Sequence, residues 1–392
     1  MDKHTASALR RQRATQAAAG RTLPDAGSWE HHIDVSSLSL PAVPGTRAVQ
    51  AGAAGRRTDL DRAKGFAILL VVFGHLVARH GPVGVGWYEP LRIAVYLFHM
   101  PLFMYLSGYV TFLSGTARTG LRAWPRLVRR RAMRLLVPFV LFGVAILLGK
   151  LLLARFLPVD NVPPDLWHGL RALVWDTDHS PATSVWYIGV LFVYCVATPP
   201  LLGLREGGIV IATVAVLLYL LPLPPVLYLD RIGTYYVFFV AGGLAADAGR
   251  RWLDTIDAMW PAALGALTLA VLPVAFGWLH FDWDAGSQAF PYKWALLSAG
   301  LLSLPALHGL VRQGPSTGAG TLGVLGRHVF VIYLLNTVFI GLAKALLLRA
   351  VSWDGSHFLP FATVLMAAGT LGPLMTKRWV LRCLPMLDRA TD

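Results

Sequence analysis

Asp61-Arg-Ala-Lys64-Gly-Phe-Ala-Ile-Leu-Leu-Val-Val-Phe-Gly-His75 is the stretch on which the reading of this chain turns. Ten uncharged residues lie between a lysine and a histidine, and similar apolar runs recur to the end of the sequence. Runs long enough to cross a hydrocarbon core of about 30 Å fall at roughly 65–80, 93–114, 135–157, 185–203, 208–222, 232–247, 258–279, 292–311, 328–348 and 358–375. They predict an all-α polytopic membrane domain of ten spans over residues 58–380. The 392 residues are 55% hydrophobic and only 14% charged, with a mean hydropathy of +0.56. That balance argues against a soluble enzyme or a nucleic-acid binder despite the net charge of +14.

The flanks are different. Residues 1–57 are rich in Ala, Gly, Ser and Arg and lack the apolar core of a secretory signal, so they read as a disordered cytoplasmic tail. Residues 381–392 form a short cytoplasmic C-terminal tail. Basic residues should collect on the cytoplasmic side. With both ends inside, 26 Lys and Arg fall on inner segments and seven on outer ones, while Lys150 and Lys344 lie within spans. The longest outer loop, about 158–184, carries Asp160, Asp165, His168, Asp176, Asp178 and His179, and is the best external place for a polar substrate to meet the protein. The spacing of Asp176, Asp178 and His179 is unspecific for a metal. Two cysteines, Cys195 and Cys383, make neither a disulfide framework nor a four-ligand zinc site. Only six of the 35 basic residues are Lys, an Arg bias that suits a GC-rich bacterial genome.

Ionisable groups inside apolar spans are costly and point to function by default. Eleven residues of α-helix separate Lys64 from His75 by about 16 Å of rise and just over three turns, so both side chains share one face. Asp61 lies near that stripe. An apolar setting favours the neutral imidazole that a general base requires, although a histidine bonded to a neighbouring helix would serve equally as structural glue. In Phe98-His99-Met100-Pro101-Leu-Phe103-Met-Tyr105-Leu-Ser107-Gly108-Tyr109, His99 comes from the opposite side to about the level of His75. It either shares a cavity with His75 or satisfies carbonyls exposed by a kink at Pro101. Ser107 and Gly108 suit close helix packing. Arg126, Arg130 and Arg134, at i, i+4 and i+8, form a stripe whose guanidinium forks match phosphate oxygens; topology and anionic lipid headgroups also call for such residues. Trp186 and Tyr187 open the fourth span as an aromatic belt or a substrate wall, and Asn336 is an amide in an apolar helix. Asp61, Trp186, Tyr187 and Asn336 are the candidate substrate contacts.

These motifs together resemble the integral-membrane acyltransferase family 3, and within it the proteins similar to fucose 4-O-acetylase. The basic residue, ten residues and histidine of that family appear as Lys64 and His75. Its Phe-His-Met-Pro-Leu-Phe and Ser-Gly pattern appears as Phe98 to Phe103 with Ser107 and Gly108. Arg130 and Arg134 before Pro138 look like the basic entry to its third helix, and Ser184-Val-Trp186-Tyr187 resembles its aromatic fourth-helix start. The resemblance covers about residues 58–380. Where the family's late pattern ends in His, this chain has Asn336.

The resemblance implies an O-acyltransferase, an O-acetyltransferase first, of a bacterial cell membrane. It would move an acyl group from cytoplasmic acetyl-CoA or another acyl-CoA to a hydroxyl of a sugar, glycan or lipid-linked acceptor, with no metal. In that scheme Lys64, Arg126, Arg130 and Arg134 hold the CoA phosphates. His75 is the general base, and His99 orients it or stabilises the oxyanion. A small-solute or lipid transporter with His75 and His99 as a proton relay is the alternative reading.

Overall fold

The computed structural model describes residues 57–77, 82–156, 159–182, 184–281, 290–314 and 320–381. The expected tails at 1–57 and 381–392, apart from Arg57 and Leu381, and with them Cys383, lie outside the described residues. Among those residues the structure is helical without a β-strand. The helices are α1 Thr58–Gly74, α2 Tyr88–Tyr96, α3 His99–Leu113, α4 Trp124–Arg131, α5 Val137–Leu153, α6 Leu166–Val174, α7 Trp186–Leu202 and α8 Gly207–Leu220. They continue as α9 Leu229–Ala248, α10 Arg250–Ala275, α11 Phe290–Arg312, α12 Thr321–Arg327, α13 Val329–Leu347 and α14 Phe358–Trp379. A helix lies over each of the ten expected stretches. Six helical segments are long and apolar enough to cross a membrane, beginning with Tyr88–Leu113 and Trp124–Leu153, and two shorter ones, Trp186–Leu202 and Gly207–Leu220, are apolar as well. The chain is a polytopic helical membrane protein.

The helices differ from the sequence expectation at several points, three of which have a local reason. The first helix starts earlier, at Thr58, because Asp59 and Asp61 stand in its first turn, where carboxylates complement the helix N-terminus. It also stops earlier, at Gly74, with His75 in a non-helical cap conformation (φ −96°, ψ 0°). The second span is two helices, α2 and α3, parted at Leu97–Phe98. Pro101 lacks an N–H and its ring crowds the carbonyl four residues back, so the helix restarts at His99 with Pro101 in its first turn, where proline is tolerated. Between α4 and α5 the residues Ala132–Leu136 form a π turn. Pro138 offers no N–H to the carbonyl of residue 134, which loosens the α ladder at this point.

Two seams hold the bundle backbone to backbone. A methyl group added at Gly108 of α3 would lie 1.9 Å from the Phe239 carbonyl oxygen of α9, and one at Gly242 would lie 2.0 Å from that of Tyr105. At the second seam, a methyl at Gly65 of α1 would meet the Leu322 oxygen of α12 at 1.9 Å, and one at Gly326 the Asp61 oxygen at 1.7 Å. No side chain fits between these helices, which is how small residues bring membrane helices together. The Gly-containing patterns that the sequence marked at Lys64-Gly65 and Ser107-Gly108 therefore serve packing.

Replacing Gly108 or Gly242 by Val should destabilise the fold beyond the roughly 1–3 kcal/mol of ordinary overpacking, since the obstacle is backbone. Gly265→Ala, with nothing within 4 Å of the added carbon, should leave stability unchanged. Thermal unfolding of the detergent-solubilised proteins, followed by fluorescence-detected gel filtration, separates the two cases.

Candidate active site

A helix that ends inside an apolar bundle leaves carbonyl groups that need donors. The end of α1 finds them on α2. The Tyr88 hydroxyl donates to the Phe73 carbonyl at 2.6 Å, the Tyr96 hydroxyl to that of Gly74 at 2.8 Å, and Arg92 Nη1 to that of Val77 at a long 3.5 Å. The end of α2 is closed in the same manner: His99 Nδ1 lies 3.0 Å from the Val95 carbonyl oxygen. A carbonyl can only accept, so Nδ1 carries the proton and, in the neutral ring, Nε2 is left as an acceptor. Tyr96 joins the two histidine segments, bonding the residue before His75 while its ring lies 4.8 Å from that of His99.

Both histidines line one cavity of about 990 Å³. The cavity continues past Met100, Trp186, Thr234 and Tyr235 to a polar rim at Lys150, Asp160, Asn161, Asp178 and Lys344. Lys344 Nζ stands 3.0 Å from the Asp160 carboxylate, and Lys150 Nζ donates to the Asp160 carbonyl at 2.9 Å. The two lysines that fell within spans thus meet at Asp160, and the loop expected to receive a polar substrate lines the cavity as well. Arg231 lies over the Trp186 ring at 5.1 Å, and Trp186 stacks on Tyr235 at 5.4 Å.

The other sequence candidates are distributed as follows. Trp186 lines the cavity. Tyr187 is turned into packing, with its hydroxyl against that of Ser107 and its ring 5.0 Å from those of Phe103 and Tyr333. The buried Asn336 donates to its own helix, at 2.9 Å to the Ile332 carbonyl and 2.8 Å to that of Tyr333, so its amide acts within α13. Asp61 is buried beneath α12. Lys64 is half-buried on α1, whose contribution to the described lining begins at Val71, about 10 Å of rise further on. Arg126, Arg130 and Arg134 are all exposed. The π turn moves Arg134 off the strict i, i+4, i+8 line that the sequence predicts. Among the described residues no group of three or more His, Cys, Asp or Glu could hold a metal.

Two features escaped the sequence reading. Arg92, which reads as a charge on an outer loop, lines the cavity beside His75. His308 is fully buried in α11, and the rule that selects His75, an ionisable group within an apolar run, selects it equally. The Trp252 indole N–H donates to the Tyr105 hydroxyl at 2.7 Å, and that hydroxyl pairs with His308 Nδ1 at 2.9 Å. His308 Nε2 is 3.7 Å from Asp59, which also binds Arg57 through two bonds, of 3.0 and 2.7 Å, and Arg312 at 3.1 Å. This chain ties α1, α3, α10 and α11 together.

Comparison with known proteins gives one family. The family profile described as an acyltransferase domain matches residues 57–378. Among curated proteins, the nodulation protein NolL of Sinorhizobium fredii is 37% identical over 142 residues, which cover 35% of this chain and 37% of that protein. Nodulation protein NolL of Mesorhizobium japonicum is 37% identical over 98 residues, 24% of this chain and 25% of the relative. The chain thus aligns with well under half the length of these relatives. No solved structure is significantly similar to it.

Tyr105→Phe keeps the ring and removes the hydroxyl that Trp252 and His308 share. The orphaned partners should lower stability by about 1–3 kcal/mol, read as a lower midpoint in thermal unfolding of the purified protein.

Proposed function

The chain belongs to the acyltransferase domain family, and from that premise we propose that it is a membrane acyltransferase that moves an acyl group, acetyl first, from acyl-CoA to a hydroxyl. The acceptor is a sugar, glycan or glycolipid. The observation that carries this reading is the placing of His75 at the end of α1, on the wall of a large cavity and beside His99. In this scheme the ten helical stretches cross the cell membrane with both ends of the chain in the cytoplasm. Lys64, Arg126, Arg130 and Arg134 take the CoA phosphates at the inner face. The pantetheine arm covers the roughly 10 Å of helix rise between Lys64 and Val71, and the acceptor enters through the rim at Asp160 and Lys344.

His75 removes the acceptor hydroxyl proton as the oxygen attacks the thioester carbonyl carbon. Collapse of the tetrahedral adduct breaks the C–S bond, and the proton held by His75 goes to the departing thiolate. Holding both reactants in one cavity supplies proximity. The role of His99 is narrower than the sequence left it. With its Nδ1 proton on Val95, the neutral ring accepts, so it suits orienting an N–H of His75 and not binding an oxyanion. Trp186 contributes an aromatic wall for the acceptor. The transporter alternative has no further support in a chain of this family.

Acetyl-CoA binding to the full chain in nanodiscs should weaken by about tenfold or more in Lys64→Ala and Arg130→Ala, since loss of a charge-assisted contact costs about 1.5–3 kcal/mol. His75→Ala should bind normally and lose about 10²–10⁴-fold in acyl transfer. Full transfer by well-folded His75→Ala, or no binding of acetyl-CoA by the wild type, would refute the proposal.

A further inference from the structure

We infer that Arg92 is the oxyanion donor of the acyl transfer, the group that stabilises the negative charge developing on the thioester oxygen. The inference rests on the reading of His75 as general base and adds a residue that neither the motifs nor the family resemblance singles out.

Attack on a thioester places negative charge on its carbonyl oxygen, and a donor at that point is among the largest contributions to such reactions. Arg92, Tyr96 and His99 are the polar side chains that the stretch from α2 to the start of α3 brings to the cavity wall with His75. The Tyr96 hydroxyl is engaged, donating to the Gly74 carbonyl at 2.8 Å. His99 directs its N–H to the Val95 carbonyl and presents an acceptor nitrogen. Arg92 remains. It lines the cavity with His75 and His99, and its Nη1 reaches the Val77 carbonyl, two residues past His75.

Arg92 is also held for such a task. Its guanidinium lies over the Tyr96 ring at 5.3 Å and is tethered through Nη2 to Glu89. Its remaining protein bonds are few. Among the described residues, Nη1 has only the 3.5 Å contact with the Val77 carbonyl, and Nε is buried with no hydrogen-bond partner. Five N–H groups are available on a guanidinium, and a buried donor left without a partner is costly, so the site has capacity for an additional acceptor oxygen. As the acceptor hydroxyl loses its proton to His75 and its oxygen bonds to the carbonyl carbon, the carbonyl π electrons move onto oxygen beside Arg92. They return as the C–S bond breaks, and His75 delivers its proton to the thiolate. No oxidant or further reactant is needed.

The test uses the full chain in nanodiscs with acetyl-CoA as the probe and, since water can replace the acceptor, thiol release as the activity readout. Arg92→Ala should bind acetyl-CoA within about threefold of wild type while thiol release falls by about 10²–10³-fold, with partial rescue by added guanidinium. Arg92→Lys, which keeps the charge and loses the fork, should stay at least tenfold impaired. Isotope-edited infrared spectra of acetyl-CoA labelled at the thioester carbonyl should show the bound carbonyl stretch lowered in wild type and His75→Ala, and not in Arg92→Ala. Wild-type release and carbonyl frequency in Arg92→Ala, with His75→Ala inactive, would overturn this inference and leave the base assignment standing. Full activity of His75→Ala would instead remove the base assignment on which it rests.

Discussion

Within a bilayer there is no water to complete a broken helix, and the organisation of this site follows from that constraint. The chain interrupts its helices twice within one region, after Gly74 and after Tyr96. Each interruption frees carbonyls, and each is answered by a side chain: Tyr88, Tyr96 and Arg92 close the end of α1, and His99 closes the end of α2. The residues that repair the backbone are therefore the ones that surround His75. Repair also fixes their chemistry. A tyrosine hydroxyl bound to a carbonyl no longer serves as a free donor, and a histidine protonated toward a carbonyl presents its other nitrogen as an acceptor.

A second polar cluster, around Asp59 and His308, solves a different problem. Its carboxylate is shared by Arg57, Arg312 and His308, while Tyr105 and Trp252 extend the chain of bonds across four helices. Buried ionic groups of this sort are expensive to break because a lone charge would be left behind. The cluster suits joining helices, and the more open cavity at His75 suits chemistry.

Much of this was legible in the sequence. Long uncharged runs announce membrane helices because few other structures tolerate them, whereas the shared face expected of Lys64 and His75 assumes a helix that in fact ends at Gly74, with His75 in a non-helical cap. The pairing of His75 with His99 followed from their depths in two expected spans. What the sequence could not supply is how α2 turns its side chains back on α1. Arg92 reads as a loop charge until the break at Leu97–Phe98 makes α2 a separate helix, and the bonds from the Asn336 amide nitrogen to its own helix are seen only in the structure. His308 was legible by the same rule as His75. Lys150 and Lys344 looked like isolated costs within spans, and only tertiary structure shows that one aspartate serves both.

The glycine seams have a mechanical consequence. Where α3 meets α9 and α1 meets α12 with no side chain between them, interlocked backbones resist sliding, since any shift collides main chain with main chain. The helices that carry His75 and His99 thereby form a stiff frame. The rim has no such backbone lock: Asp160 is held there by the ammonium groups at the tips of two long, flexible lysine stems. Compliance on that wall of the cavity therefore comes from side chains, while the frame that carries the two histidines keeps its alignment.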